Sequence, residues 1–430
     1  MLWSALPRCS SFPRFRVPCR SFYYSAPRRS AANPLLSSHP AIQQELSLAQ
    51  KIGRPSVRNQ AIFAVLGTCI VFTYAAAWTN IEADEWVEKL TRGRAPRTWP
   101  HTITSADLKR ASDMSLVHEL REGLKSINTS TEGLPPRARA SINLLCTMAA
   151  QTYYNATEGK RLCWKICLFN AGIWLAWKSR QLRPFMLRNF VHDPLSGRSI
   201  TMLTSMFSQR TAFALALNFF LLDGFGSSAS FYLLRRQERL ADGQFESTAT
   251  YHFFAFFVAA GLFAALTSHI IHLKILYPRL ISQLSSPSRL PVTPDTWASA
   301  LRAPSPATSR LRTFFRFFSS PSSRSNNPLT PRVCGTGALY ALMTLTALGF
   351  PSAEIALFYP PNYSVPVQWT VGSLVLLDIV GIWRGWKIFD HFAHLGGAVF
   401  GAFYCVYGPR FWNWLRVGVA DPSSDGLAKA

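Results

Sequence analysis

The sequence predicts an all-α polytopic membrane protein, and three observations predict it. Of its 430 residues, 48% are hydrophobic and only 16% charged, which suits neither a wholly soluble enzyme nor a disordered chain. Seven apolar stretches approach the ~20 residues that a helix needs to cross a bilayer core. The net charge of +23 falls almost entirely on alternate connecting segments, the pattern that orients a bundle of spanning helices.

Taken in order, residues 1–58 read as a mitochondrial transit peptide and matrix tail. The first acid is Glu45, and Arg8, Arg14, Arg16, Arg20, Arg28 and Arg29 precede it among many serines and aromatic residues. A secretory signal would carry a compact apolar block, which this segment lacks. A basic tail that binds anionic surfaces is the other use of such a composition. Residues 59–79 hold the first apolar run, 61–78, and are expected to form an extra transmembrane helix. Residues 80–160 mix acids and bases in helix-like patterns and should form a small helical cap in the intermembrane space, with Ser105 or Ser115 as N-caps.

Residues 161–273 contain runs at 162–177, 200–225 and 251–272, and residues 333–408 contain runs at 333–350, 365–383 and 389–407. Between the two blocks, residues 274–332 are rich in Ser, Pro and Arg with Asp295 as the sole acid, the composition of a disordered basic insertion. Within it Arg310, Arg312, Phe314, Phe315, Arg316, Phe317 and Phe318 interleave cation and ring, as a segment lying on an anionic lipid bilayer would. Nucleic-acid binding is the weaker use of such a run, because no nucleic-acid fold accompanies it. Residues 409–430 form a C-terminal tail. The basic segments are 1–60, 178–198, 274–332 and 384–387, while those between them are nearly neutral. The positive-inside tendency therefore puts the N-terminus in the matrix and the C-terminus in the intermembrane space. The eight cysteines are scattered with no CxxC pair and are expected to be free thiols.

Polar groups inside apolar runs are costly and mark functional candidates. His394, Gly397 and Gly401 fall three and four residues apart on one helix face, and Gly337 with Ala341 forms a second small face. Thr336 stands beside that second face at the start of its helix, where backbone N–H groups are free. If the faces meet, a hydroxyl and an imidazole come within reach, the minimum equipment for acyl transfer. Blander roles exist for each residue. Thr336 would serve as a helix cap and His394 as an interhelical hydrogen-bond donor, while Asp223 and Asp378 would be packing or helix-end groups. His391 with His394, or His269 with His272, has metal-ligand spacing but lacks a third ligand, so no metal is expected.

At these residues the sequence resembles the rhomboid intramembrane serine protease family, in its mitochondrial presenilin-associated rhomboid-like branch. The resemblance covers about residues 160–273 and 333–408. It rests on Asn170, the stretch from Met202 through Ser208 to Asn218, the Gly337-Ala338 pair, and Asp378 through Gly385-Trp386-Lys387 into Asp390-His391 and His394-Leu395-Gly396-Gly397. It implies a six-helix rhomboid core preceded by one extra helix, and cleavage of partner proteins within or beside their transmembrane helices. In that scheme Thr336 is the nucleophile, His394 the general base and Asn218 an oxyanion donor, with no metal or organic cofactor.

Three positions depart from the family pattern. Thr336 in Cys334-Gly335-Thr336-Gly337 stands where a serine is expected, Ala214 replaces an oxyanion-binding histidine, and Gln209 occupies a position that is often histidine. The β-methyl of threonine stiffens the nucleophile, and a lost oxyanion donor costs about a hundred- to a thousandfold in turnover. The expected activity is therefore weak. A catalytically dead relative that binds or scaffolds transmembrane helices is the alternative.

Overall fold

The computed structural model describes residues 56–91, 103–240, 245–279, 335–356, 363–386 and 389–420. The expected transit peptide, the interleaved Arg and Phe segment, nearly all of the 274–332 insertion, Cys9, Cys19 and Cys334 lie outside the described residues. The all-α class holds, with one small exception. A two-stranded antiparallel hairpin, β1 (Glu354–Ala356) and β2 (Ser364–Pro366), joins two of the helices.

Helix α1 (Arg58–Thr91) runs well past the expected end at residue 79. At 34 residues it spans roughly 50 Å, more than a bilayer core requires. Its small residues Ala64, Ala75, Ala76 and Ala83 are buried, and Ile62, Val65, Leu66 and Ile70 are exposed. The cap comprises α2 (Ser105–Ser130) and α3 (Pro136–Asn155). Neither expected N-cap serves. Thr104 caps α2 in a reciprocal box with Asp107, Ser105 is the first helical residue and Ser115 lies in the helix interior. The Asp107 carboxylate answers the Thr104 backbone, an exchange that Ser115 cannot set up. Ser105 Oγ instead accepts from Glu246 N at 3.3 Å, and Lys109 Nζ lies 2.7 Å from Glu238 Oε1, so the cap docks on the bundle.

Helix α4 (Glu158–Lys178) leads through the short α5 (Arg183–Asn189) and α6 (Ile200–Thr204) into a 3₁₀ turn at Ser205–Phe207. The 200–225 run is therefore not one helix. The polar sequence Ser208-Gln209-Arg210-Thr211 breaks it, and Thr211 caps a new helix by accepting from Ala214 N at 3.1 Å. That helix, α7 (Ala212–Leu221), passes through a π turn into α8 (Ser227–Leu240). Helix α9 (Thr250–Ile271) is buried on nearly every side, with Phe253, Phe256, Phe257, Ala260 and Leu262 in the core. Helix α10 (Thr336–Gly349) is also enclosed. Its 14 residues give a length of roughly 21 Å, shorter than a bilayer core.

Helices α11 (Val367–Trp383) and α12 (His391–Val419) close the bundle, and α12 packs on α1, α9 and α10. The segments 58–91, 212–240 and 250–279 are long and apolar enough to cross a membrane, and α10 and α11 are apolar but shorter. Trp369, Leu376, Trp383, Phe403 and Val406 add exposed apolar surface on α11 and α12. Among the described residues Cys69, Cys146, Cys163, Cys167 and Cys405 are free thiols.

Candidate active site

Helices α10 and α12 meet along their small-residue faces. A Cβ added at Gly397 would overlap the carbonyl of Gly337, and one at Gly401 would overlap the backbone of Ala341. Backbones this close cannot admit larger side chains, which is the use of glycine at such a crossing. The crossing brings Thr336 Oγ1 within 2.7 Å of His394 Nε2. Thr336 does not cap its helix: Gly335 holds the N-cap position and makes no side-chain bond, while the Thr336 hydroxyl is directed at the imidazole.

The far nitrogen of the same ring is held by Asp378 of α11. His394 Nδ1 lies 3.0 Å from Asp378 Oδ1 and 3.2 Å from Oδ2. An ionised carboxylate only accepts, so Nδ1 carries the proton and Nε2 presents its lone pair to Thr336. Sequence reasoning assigned Asp378 to packing; the geometry corrects that, because the carboxylate lies 16 residues from His394 in the chain and only the α11–α12 crossing joins them. His391 Nδ1 donates to the same oxygen at 2.5 Å. Its ring fills the space that a Cβ at Gly381 would need, which brings α11 close to α12.

A ring contact fixes the imidazole, and a cap fixes the start of its helix. The Tyr340 ring stacks on it with centroids 4.2 Å apart. Asp390 caps α12 by accepting from Ala393 N at 3.2 Å, and its other oxygen accepts from Ser268 Oγ at 2.7 Å. His394, Asp378 and His391 are buried, whereas Thr336 is half-buried.

Asn218 is buried on α7 and bonded to neither Thr336 nor His394 among the described residues. Asn170 Nδ2 donates to its Oδ1 at 3.0 Å. Ala214 lies one turn earlier on the same helix. The His269 and His272 pair does not converge on a common point: His269 Nδ1 meets His192 Nε2 at 3.0 Å, and His272 Nδ1 meets Ser268. Among the described residues, only Asp378, His391 and His394 bring three potential ligand atoms together. That supplies the third ligand the His391 and His394 spacing lacked, yet all three are engaged in the hydrogen bonds described above.

A hydroxyl bonded to an imidazole that is itself held by a carboxylate is the arrangement of a nucleophile, its base and an orienting group. The rhomboid family model matches residues 313–411, the stretch that contains Thr336, Asp378 and His394. Among curated proteins, the chain is similar to the mitochondrial presenilin-associated rhomboid-like proteins of Bos taurus and Homo sapiens. Each is 23% identical over 285 residues, covering 64% of this chain and 58% of the relative. The presenilin-associated rhomboid-like protein A of Danio rerio is 22% identical, covering 64% and 57%. The chain thus spans less than two thirds of the length of these relatives. No solved structure matches.

Proposed function

We propose that the chain is an intramembrane endopeptidase of rhomboid type, seated in the mitochondrial inner membrane and acting on transmembrane helices of partner proteins. The observation that carries the reading is the continuous path from Thr336 through His394 to Asp378, with contacts of 2.7 and 3.0 Å. Thr336 Oγ1 attacks the scissile carbonyl while His394 Nε2 takes its proton. The developing imidazolium is balanced by Asp378, and His394 then returns the proton to the leaving amine. Asn218 donates to the oxyanion. The mitochondrial names of the relatives and the arginine-rich segment before Glu45 support the compartment. The charge pattern supports seven spans with the N-terminus and the 274–332 insertion on the matrix side.

Purified chain in lipid, given a model transmembrane substrate, should cleave it slowly. Thr336→Val, which keeps the shape and removes the hydroxyl, should abolish cleavage, as should His394→Ala. Retained substrate binding with no cleavage by the unaltered chain would instead favour a non-cutting helix binder. Cleavage that survives His394→Ala would refute the assigned roles.

A further inference from the structure

A tetrahedral intermediate at Thr336 places a full negative charge on the former carbonyl oxygen, and one side-chain donor is a weak cradle for it. The region facing the start of α10 supplies a second candidate. Gln209 is only 5% exposed, and its Nε2 has no hydrogen-bond partner among the described residues. A buried amide donor left without a partner is costly, so such a group calls for an explanation. The nitrogen is directed at the nucleophile turn. It lies 2.6 Å from the place a Cβ on Gly335 would occupy, and Met206 O lies 2.8 Å from the same point. Gly335 immediately precedes Thr336, so only the absence of a side chain there lets the amide approach.

The segment bearing Gln209 is held on both sides. Before it, the 3₁₀ turn Ser205–Phe207 ends in Ser208, whose Oγ accepts from Trp177 Nε1 at 2.9 Å. After it, Thr211 caps α7. Gln209 is therefore presented from a short fixed stretch rather than from a swinging loop. Asn218 is prepared in a complementary way. Its carbonyl oxygen is taken by Asn170 Nδ2, which directs its own amide nitrogen away from Asn170.

We propose that Gln209 is a catalytic residue, a second oxyanion donor that acts with Asn218 at Thr336. The proposal deepens the protease reading and rests on it. Donors of this kind act when they are already in place and committed to no other group as charge develops, and the Gln209 amide meets both conditions.

The test compares a peptidyl aldehyde with the matching peptidyl alcohol, bound to the full chain in lipid nanodiscs. The aldehyde carbon bonds to Thr336 Oγ1, the hydroxyl proton passes to His394, and the former carbonyl oxygen becomes the anion to be held. The alcohol forms no such adduct. Gln209→Met, which keeps length and removes the donor, should weaken aldehyde binding by about 100-fold and leave the alcohol unchanged. Gln209→Glu at pH 8 keeps the shape, replaces the donor with an acceptor and should give the same selective loss should the Met variant fail to fold. Equal weakening of both ligands, no weakening of either, or no preference for the aldehyde in the unaltered chain would overturn the assignment. The two readings fail separately. A Gln209-dependent aldehyde preference without substrate cleavage would sink the protease reading alone, and cleavage with a Gln209-independent preference would sink the donor alone.

Discussion

The carbonyl of Gly337 lies where the side chain of any residue but glycine at position 397 would have to be. Helices α10 and α12 are thus in backbone contact, and one turn further Gly401 meets Ala341 in the same way. This crossing sets the distance between Thr336 and His394, which precede Gly337 and Gly397 on their own helices.

Gly397→Ala should therefore be costly. The atom in the way is backbone, which cannot turn aside as a side chain does, so the helices must part. Overpacking of this kind costs about 1–3 kcal/mol. Thermal unfolding in lipid should show a clear drop in midpoint, together with loss of whatever activity the chain has. Gly372→Ala on α11 is the control: nothing lies within 4 Å of its added methyl, and alanine is the better helix former. Equal midpoints for the two variants would show that the crossing is not tight.

Asp378→Asn tests the carboxylate that two imidazoles share. Asp378 Oδ1 accepts from both Nδ1–H groups and Oδ2 also lies 3.2 Å from His394 Nδ1, whereas an amide that keeps its oxygen at Oδ1 puts an NH₂ where Oδ2 lies, facing His394. Against that donor the His394 proton moves to Nε2 and the base is lost. The corresponding change in a serine protease triad lowers turnover about 10⁴-fold. A fall of that order in kcat with KM little changed is expected, and a change below about threefold would remove Asp378 from the site.

Some of this was legible in the sequence and some was not. The small faces around Gly337 and Gly397 are periodic and local, so the pairing of Thr336 with His394 can be read from spacing. Asp378 could not be found that way. Nothing local separates it from a packing aspartate, and the contact exists only because Gly381 lets His391 draw α11 against α12. The third apolar run misled for a different reason. Residues 200–225 are apolar on average, yet the polar Ser208-Gln209-Arg210-Thr211 interrupts them and the side-chain cap at Thr211 restarts the helix. A buried amide such as Gln209 reads as an ordinary loop residue until its missing partner is seen.

Thr336→Ser should accelerate the reaction. Removing the β-methyl frees the side chain to turn towards a substrate carbonyl and clears space beside the oxygen, without touching the bond to His394. A misplacement of about 1 Å can cost a hundredfold, so turnover should rise by about tenfold or more in a cleavage assay. An unchanged or lower rate would mean that the methyl group is accommodated by the site.

Glu246 gives the fold a pH dependence that can be separated from catalysis. It lies in the loop between α8 and α9, buried, with neither carboxylate oxygen hydrogen-bonded among the described residues and Arg416 Nη1 3.8 Å from its Oε2. The short bonds of Arg416 go elsewhere, to Asn80 Oδ1 at 2.9 Å and Phe245 O at 2.6 Å. Burial pushes the Glu246 carboxyl up to about 7 from an ordinary 4.5, against the pull of Arg416. Between those values the folded chain holds a proton that the unfolded chain has lost. Stability is therefore greatest at the acid end, falls as pH rises through the window and levels off above 7. At about 1.4 kcal/mol per unit, the whole fall amounts to about 3 kcal/mol. Glu246→Gln has no charge to bury and should flatten this part of the profile. Unfolding midpoints in nanodiscs from pH 4.5 to 8 decide the matter: the unaltered chain should lose ground to the glutamine variant as pH rises, and parallel curves would show that Glu246 is not held protonated by the fold.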